Sequence, residues 1–469
     1  MNLYNTLTKQ IEDFKPNTDE VKIYTCGPTV YEKSHIGHWY TYIRNDILVR
    51  LLKFDYKKVK WVVNITDVGH LTSDADEGED KLQKSANIKK QSAWDIAKFY
   101  TSDFMKGINK LNITMPDVMP KATDHIDEQI ALIKKLEKLG YTYRIDDGIY
   151  FDTSKFTKYK DFAQLDLDEQ LSSVRVELNK NKKNPSDFAL WKFSPINSKR
   201  DMEWESPWGI GFPGWHIECS AMSMKYLGEN FDIHSGGIDH IPVHHTNEIA
   251  QSMAVTGKMP ANYWFHSNHV MINNQKISKS LDNGYTLDQL EDLGFSSEVI
   301  RLHVLESSYR NQANFQLDDL LAAKNRYNSW LKVAALSYQL SKNIKDIEYI
   351  DTYKTIILND LRNDLNTPKA LSDIDSIFNY ITNNRSTVND KQVKDLILFI
   401  DSLLGTRLSE LPNISEDIQD MILKRDRLKE AKSWEDSDEL RRQIYSKGVG
   451  LDDTETRSYW YYLEKSSLL

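Results

Sequence analysis

Residues 22–65 constrain the fold more than any other stretch. Residues 22–26 read as a short strand, followed by a Gly-Pro loop. A helix is then predicted from about His38 to Lys53, with Tyr40, Ile43, Ile47, Leu48, Leu51 and Leu52 at helical spacing. Residues 61–65 read as the next strand. Strand, helix and strand joined at this length form a parallel βαβ unit. The chain therefore builds an α/β sheet, and its other segments must fit around one.

A second amphipathic helix carries Trp94, Ala97, Phe104, Ile108 and Leu111, with Ser92 and Asp95 at its start in capping-box spacing. From about Pro116 to Arg200 the character changes. A helix with Ile126, Ile130, Ile133 and Leu136 is stopped by Gly140. A hairpin is predicted to turn at Asp147-Gly148, and lysine- and asparagine-rich loops follow. This reads as an insertion. Alternating α/β character resumes from Trp204 to Val270, and beyond Leu317 amphipathic helices dominate. The expected divisions are 1–115 and 204–265 for the two halves of a Rossmann-like unit, 116–203 for the insertion and 266–316 for a connecting unit. A helical bundle at 317–411 and a small module at 412–469 complete the chain.

At 469 residues, several cores are required. With 40% apolar and 28% charged residues the chain reads as folded and soluble. A net charge of −9 argues against a general affinity for nucleic acid, although a local basic face can act alone. Lys180, Lys182, Lys183, Lys192, Lys199 and Arg200 could form such a face or a solvated loop. The N-terminus lacks the pattern of a signal peptide, and no apolar run approaches the roughly 20 residues a membrane helix needs. A cytoplasmic protein is expected. The two cysteines, Cys26 and Cys219, are then either inert core residues or metal ligands.

Three elements carry chemistry. His35-Ile36-Gly37-His38 lies between the first strand and its helix, at the strand end where α/β proteins bind nucleotides. Its histidines can donate hydrogen bonds to a phosphate chain, and Gly37 lets the backbone approach an adenine. Lys276-Ile277-Ser278-Lys279-Ser280 offers two cations to a triphosphate in its transition state. In this order, about 240 residues apart, the two resemble the paired signatures of class I aminoacyl-tRNA synthetases. The third element is Cys26 and Cys219 with His244 and Glu248, which are spaced i, i+4 on one helix face beginning near Pro242. Two thiolates, an imidazole and a carboxylate make a plausible zinc shell.

Over almost its whole length the chain resembles the cysteinyl-tRNA synthetase family. TCGPTVYEKSHIGH, NITDV, DFALWK, PGWHIECSAM, HHTNEIAQ, KISKSLDN, SSYRNQANF and DLNTPKAL match family blocks in family order. The resemblance implies a Rossmann-like catalytic domain with an insertion, an α-helical anticodon-binding bundle and a small C-terminal module. It implies one Zn2+ on Cys26, Cys219, His244 and Glu248, and ATP as substrate with Mg2+. His35, His38, Lys276 and Lys279 would be catalytic. Gly37, Gly236, Gly237, Asp239 and Lys279 would bind ATP, and Thr66 and Trp215 would line the cysteine pocket. The implied partners are L-cysteine, ATP and cysteine tRNA, with no membrane, and a monomer is expected.

The chain departs from the family pattern at 69–81, in Phe212 where a basic residue is common, in the approximate glycine loop 235–239, and in Asp282 where glycine is usual. An alternative with the same core is a ligase joining cysteine to an amino sugar; the long helical C-terminal region favours tRNA. Intact motifs argue against a non-catalytic RNA-binding relative. His244 and Glu248 lack the HExxH arrangement of a zinc hydrolase.

Overall fold

The computed structural model describes the chain except residues 69–80, 160, 163–180, 196–199, 278–282, 342–343, 456 and 464–469. A small antiparallel ribbon comes first, β1 (Asn2–Asn5) with β2 (Gln10–Asp13). The central unit follows: β3 (Glu20–Thr25), α1 (Ile36–Asp55) and β4 (Lys58–Val63). β3 and β4 pair in parallel, as the βαβ reading requires. Helix α1 starts two residues before its predicted start because His35 forms its N-cap.

Helices α2 (Lys81–Lys89) and α3 (Ala93–Lys110) come next. The Ser92 hydroxyl accepts the Asp95 N–H and so caps α3. Of the apolar positions predicted for this helix, Ala97, Phe104, Ile108 and Leu111 are buried, but Trp94 is 46% exposed. Its ring lies outside, and its indole N–H donates to the Asp201 carbonyl. Residues 117–121 then run beside β4, with parallel bridges Val62 to Val118 and Ile65 to Lys121. The segment expected to open the insertion is thus laid along the edge of the central sheet.

Helix α4 (Ile126–Lys138) leads to the inserted antiparallel sheet of β5 (Thr142–Ile145), β6 (Gly148–Phe151), β7 (Phe188–Phe193) and β8 (Gly211–Pro213), in that order. The hairpin turns one residue earlier than predicted. Ile145 pairs with Gly148, leaving Asp146-Asp147 as the turn. Gly148 serves a different purpose: a Cβ there would lie 2.3 Å from the Trp191 carbonyl oxygen of β7. β8 pairs with β7, so this sheet extends past the expected division at 203.

The chain returns through α5 (Trp215–Leu227), β9 (Phe231–Gly237), α6 (Thr246–Thr256) and β10 (Ala261–Ser267). The central sheet has the order β10-β9-β3-β4, all parallel, and β9 and β10 are buried along most of their length. β11 (Val270–Ile272), β12 (Gln275–Lys276), α7 (Leu287–Asp292), α8 (Ser297–Leu305) and β13 (Ala313–Phe315) form the connecting unit.

The helical region comprises α9 (Leu317–Leu336), α10 (Glu348–Arg362), α11 (Thr367–Asn383) and α12 (Asp390–Leu404). A last module of α13 (Glu416–Glu430), α14 (Trp434–Ser446) and the hairpin β14 (Val449–Asp453) and β15 (Ser458–Tyr462) has its own small core around Ile422, Ile444, Leu451 and Trp460. The helical region is stitched to the catalytic body by buried charge. Arg301 of α8 contacts the Asp46 carboxylate of α1 and donates to the Leu404 carbonyl, 2.5 Å away. No helix among the described residues is long and apolar enough to cross a membrane.

Candidate functional site

The loops at the C-terminal ends of β3 and β9, together with β11 and β12, surround a cavity of about 670 Å3. It is lined by His35, Gly37 and His38 from the start of α1, by Lys276 and Ile277, by Gly237 and Asp239, and by Trp215 and Cys26. The two short motifs, about 240 residues apart in sequence, therefore face one space. Backbone contacts tie the first motif to the chain that follows the second: the Ile36 N–H donates to the Tyr285 carbonyl at 2.7 Å, and His35 bridges Thr286.

The rings of His35 and His38 stack, with centroids 3.8 Å apart. The His35 backbone N–H donates to Nδ1 of His38 at 3.2 Å. That bond makes Nδ1 the acceptor and leaves the proton of a neutral ring on Nε2. His38 is exposed to the cavity, and partial desolvation by the surrounding walls, with His35 beside it, pushes its pKa down to about 3. A Cβ on Gly37 would sit 2.8 Å from Ile277 and 3.0 Å from the His35 ring, so glycine keeps this wall clear. Asp239 also opens onto the cavity. Burial would raise its carboxyl, but His240, a backbone N–H and His269 outweigh it and hold it below the ordinary range.

Cys26 marks the inner end of the cavity and the edge of a buried cluster. The donor atoms of Cys26, Cys219, His244 and Glu248 all lie within 4.8 Å of one another, and all four residues are buried. His244 Nε2 is 3.0 Å from Glu248 Oε1. A π-helical turn at Ile241–His245 leads into α6 and sets this i, i+4 pair. Hydrogen bonding from Cys26 lowers the Cys219 pKa to about 6, while burial pushes that of Cys26 up. Burial would raise the Glu248 carboxyl, yet His234 and His244 hold it down at about 2. A buried set of soft and anionic donors this close fits a soft dication.

Sequence reasoning missed the histidines around this set. His234 Nε2 lies 2.9 Å from Glu248 Oε2, and His245 Nε2 lies 3.3 Å from the Cys26 sulfur. His245 Nδ1 meets His266 Nε2 at 2.8 Å. Cys26, His234, His245 and Glu248 also form a compact donor group. It uses one thiol rather than two, so its histidines read as partners that orient the ligands. The available signal was crowding: seven of the 12 histidines fall between 216 and 269.

Other predicted residues lie elsewhere. Thr66 is not on the cavity wall; it sits behind the 27–29 loop, its N–H donating to the Pro28 carbonyl at 3.0 Å and its carbonyl accepting the Val30 N–H. Gly236 also lies behind the wall, where a Cβ would come 2.5 Å from the His240 ring. Lys279 lies outside the described residues, as does the divergent 69–80 stretch. Lys180 and Lys199 of the candidate basic face are outside them too. The rest of that face is engaged: Lys183 pairs with Asp152, Lys192 pairs with Asp147, and Lys182 lies over the Tyr150 ring. The Arg200 guanidinium stacks 3.8 Å over Phe212, which places a basic group beside the position where Phe212 departs from the family pattern.

Residues 13–325 match the family described as tRNA synthetases class I (C) catalytic domain. The chain is 40% identical over 98% of its length to the cysteine–tRNA ligase of Treponema denticola, covering 99% of that protein. It is 41% identical over 96% of its length to cysteine–tRNA ligase 1 of Burkholderia lata, covering 95% of it.

The chain belongs to the cysteine–tRNA ligase family.

It is an enzyme, a tRNA ligase of class I. Among solved structures, methionyl-tRNA synthetase of Mycobacterium tuberculosis bound by methionyl-adenylate aligns with a TM-score of 0.61 at 16% identity, over 83% of this chain and 93% of that one. That likeness is one of fold. The Rossmann-like parallel sheet and the helical C-terminal region are thus those of a class I synthetase.

Proposed function

We infer that the chain activates L-cysteine with ATP, releasing pyrophosphate, and passes the cysteinyl group to the 3′ end of cysteine tRNA, releasing AMP. One observation carries the reading: a single cavity is walled by His35, His38, Lys276, Asp239 and Trp215 and ends at Cys26. Phosphate-binding and sulfur-binding chemistry therefore share one space. The neutral His38 presents Nε2–H to the triphosphate, with its tautomer fixed by the His35 N–H. Lys276 supplies positive charge to the same oxygens, and Lys279 is assigned there from the sequence. Asp239 and the backbone at Gly37 and Gly237 meet the ribose and adenine. Magnesium accompanies ATP. Trp215 walls the amino-acid end, while Thr66 acts through the loop it holds.

Cys26, Cys219, His244 and Glu248 are the residues that would hold a zinc ion. When bound, zinc supplies a soft Lewis acid that prefers the substrate thiol to the hydroxyl of serine. The division of roles follows the sequence reading: adenylation in the cavity, anticodon recognition in the helical region and C-terminal module. The protein is read as a cytoplasmic monomer. The long helical region supports tRNA over an amino sugar as acceptor.

The test is cysteine-dependent ATP–pyrophosphate exchange, followed by aminoacylation of cysteine tRNA. Exchange supported by cysteine, and far less by serine, is expected. Activation without charging of tRNA would overturn the tRNA assignment in favour of the amino-sugar ligase. No exchange with cysteine would overturn both.

A further inference from the structure

Besides Lys276, a longer cationic stretch of this acidic chain meets the cavity. Residues 81–110, which include α2 and α3, carry seven lysines and two aspartates, a net charge of +5 in a chain of −9. Lys81 lines the cavity, and its ammonium lies 5.5 Å from the centroid of the Tyr31 ring, also on the rim. From there α2 runs outward, carrying its charge about 12 Å from Lys81 to Lys89 at 1.5 Å per residue. Along α3, Trp94, Lys98, Ser102 and Lys106 recur every fourth residue and so form one stripe. Lys90, Lys98 and Lys106 are exposed.

The same face shows aromatic surface that a solvated lysine face does not need. Trp94 is 46% exposed and Phe99 55%. Trp94 meets Trp204 edge-on at 6.2 Å, and Lys89 lies over the Phe99 ring. Two nearby carboxylates are already engaged at the start of α3, while Asp103 lies beside Phe99 and Lys106. Asp95 accepts the Ser92 hydroxyl, and Asp201 accepts the Ala93 N–H at 2.7 Å. Cations for phosphates interleaved with flat aromatic surface fit unpaired nucleotides better than a protein. The acceptor end of the substrate must also reach this cavity to react.

We propose that the exposed face of α2 and α3 is the landing surface for the single-stranded 3′ end of tRNA. Trp94 and Phe99 stack its bases, and Lys90, Lys98 and Lys106 neutralise its phosphates. The proposal rests on the tRNA-charging reading. The test uses the full chain, Trp94→Ala, and the triple variant Lys90→Ala, Lys98→Ala, Lys106→Ala. Cysteine-dependent pyrophosphate exchange should stay within about twofold, since none of these residues lines the cavity. Trp94→Ala should raise KM for tRNA about tenfold, the loss of one stacked base. The triple variant should reduce the slope of log affinity against log salt by about 2 to 3. Phe99→Leu, which keeps apolar bulk but not the ring, should fall with Trp94→Ala. If the unsubstituted enzyme charges tRNA and these variants charge it equally well, the proposal fails while the functional reading stands. If the unsubstituted enzyme charges no tRNA, that reading fails first. A change in sedimentation alone would make the face a protein interface and overturn the proposal.

Discussion

His35 and His38 stack ring on ring, 19° from parallel, and the backbone N–H of His35 holds Nδ1 of His38. One residue thus caps the helix that carries the other and also sets its tautomer. His38→Ala should therefore slow pyrophosphate exchange by about 10²- to 10³-fold, the usual loss for one donor aimed at developing charge. Metal content should not change. Because the ring titrates at about 3, exchange should show no His38 limb between pH 6 and 8. An activity step near pH 6.5 that disappears in His38→Ala would contradict this.

The metal assignment makes a separate prediction. Elemental analysis should find about one zinc per chain, as for a single mononuclear site. Cys219→Ala should lose most of it together with cysteine-dependent exchange. His245→Ala should keep the metal but weaken it about 10- to 100-fold, as loss of an orienting partner does. A metal-free protein that activates cysteine normally would refute the site. Zinc retained in Cys219→Ala but lost in His245→Ala would favour the other donor group.

Much of this site was legible only because several blocks fall in family order. Taken alone, two lone cysteines serve equally as inert core residues, and two loop histidines as ordinary surface groups. The βαβ core was legible because Val21, Ile23, Trp61 and Val63 are buried on two paired parallel strands. What failed to show is what depends on distant chain. Gly148 looked like a turn residue, but its true constraint is the carbonyl of Trp191, 43 residues on. Trp94 fits an apolar helical stripe by spacing, yet α3 packs Phe104 and Gly107 against Trp39 of α1 and leaves Trp94 outside. The lysine loop left a nucleic-acid face and a solvated loop both open, and its partners Asp147, Asp152 and Tyr150 appear only in the fold. Neither His234 nor His245 had a role readable from sequence, because that role exists only once β9 and the turn into α6 are side by side.

Gly27 offers a test of how tightly the cavity floor is built. A Cβ there would fall 1.5 Å from the carbonyl oxygen of Asn64, whose side-chain oxygen accepts the Gly27 N–H at 2.8 Å. Backbone on both sides leaves nothing flexible to yield. Gly27→Ala should cost about 3 kcal/mol, at the upper end of overpacking, and should displace Cys26, its neighbour in sequence. A lowered unfolding midpoint together with reduced zinc content is expected. Unchanged stability and zinc content would show that this loop has more freedom than its packing implies.

Asp46 tests the junction between the helix bearing His38 and the helical region. Its carboxylate is fully buried and contacts Arg301 and Arg50, while the Thr114 N–H donates to it at 2.8 Å. Burial alone would raise its pKa, but Arg301 and Arg50 outweigh that and hold it below the ordinary carboxylate range. A lowered folded-state pKa gives stability that is present above the unfolded value of about 3.9 and is lost as pH falls through the folded one. Asp46→Asn keeps the shape but leaves the Arg301 charge buried without its counter-ion. It should cost about 3 to 5 kcal/mol near neutral pH. The stability gap between the two proteins should stay flat from pH 8 to about 5 and narrow below about pH 4, where the unfolded chain takes up a proton that the native carboxylate does not. Urea unfolding across that range measures it. Arg301 also donates to the Leu404 carbonyl, and Arg50 to that of Asp401, so the variant should loosen the helical region as well. Amide exchange at the end of α12 should rise first, and tRNA charging should fall further than pyrophosphate exchange. A gap that is absent at pH 7, or unchanged at pH 3, would mean the ion pair does not hold these parts together.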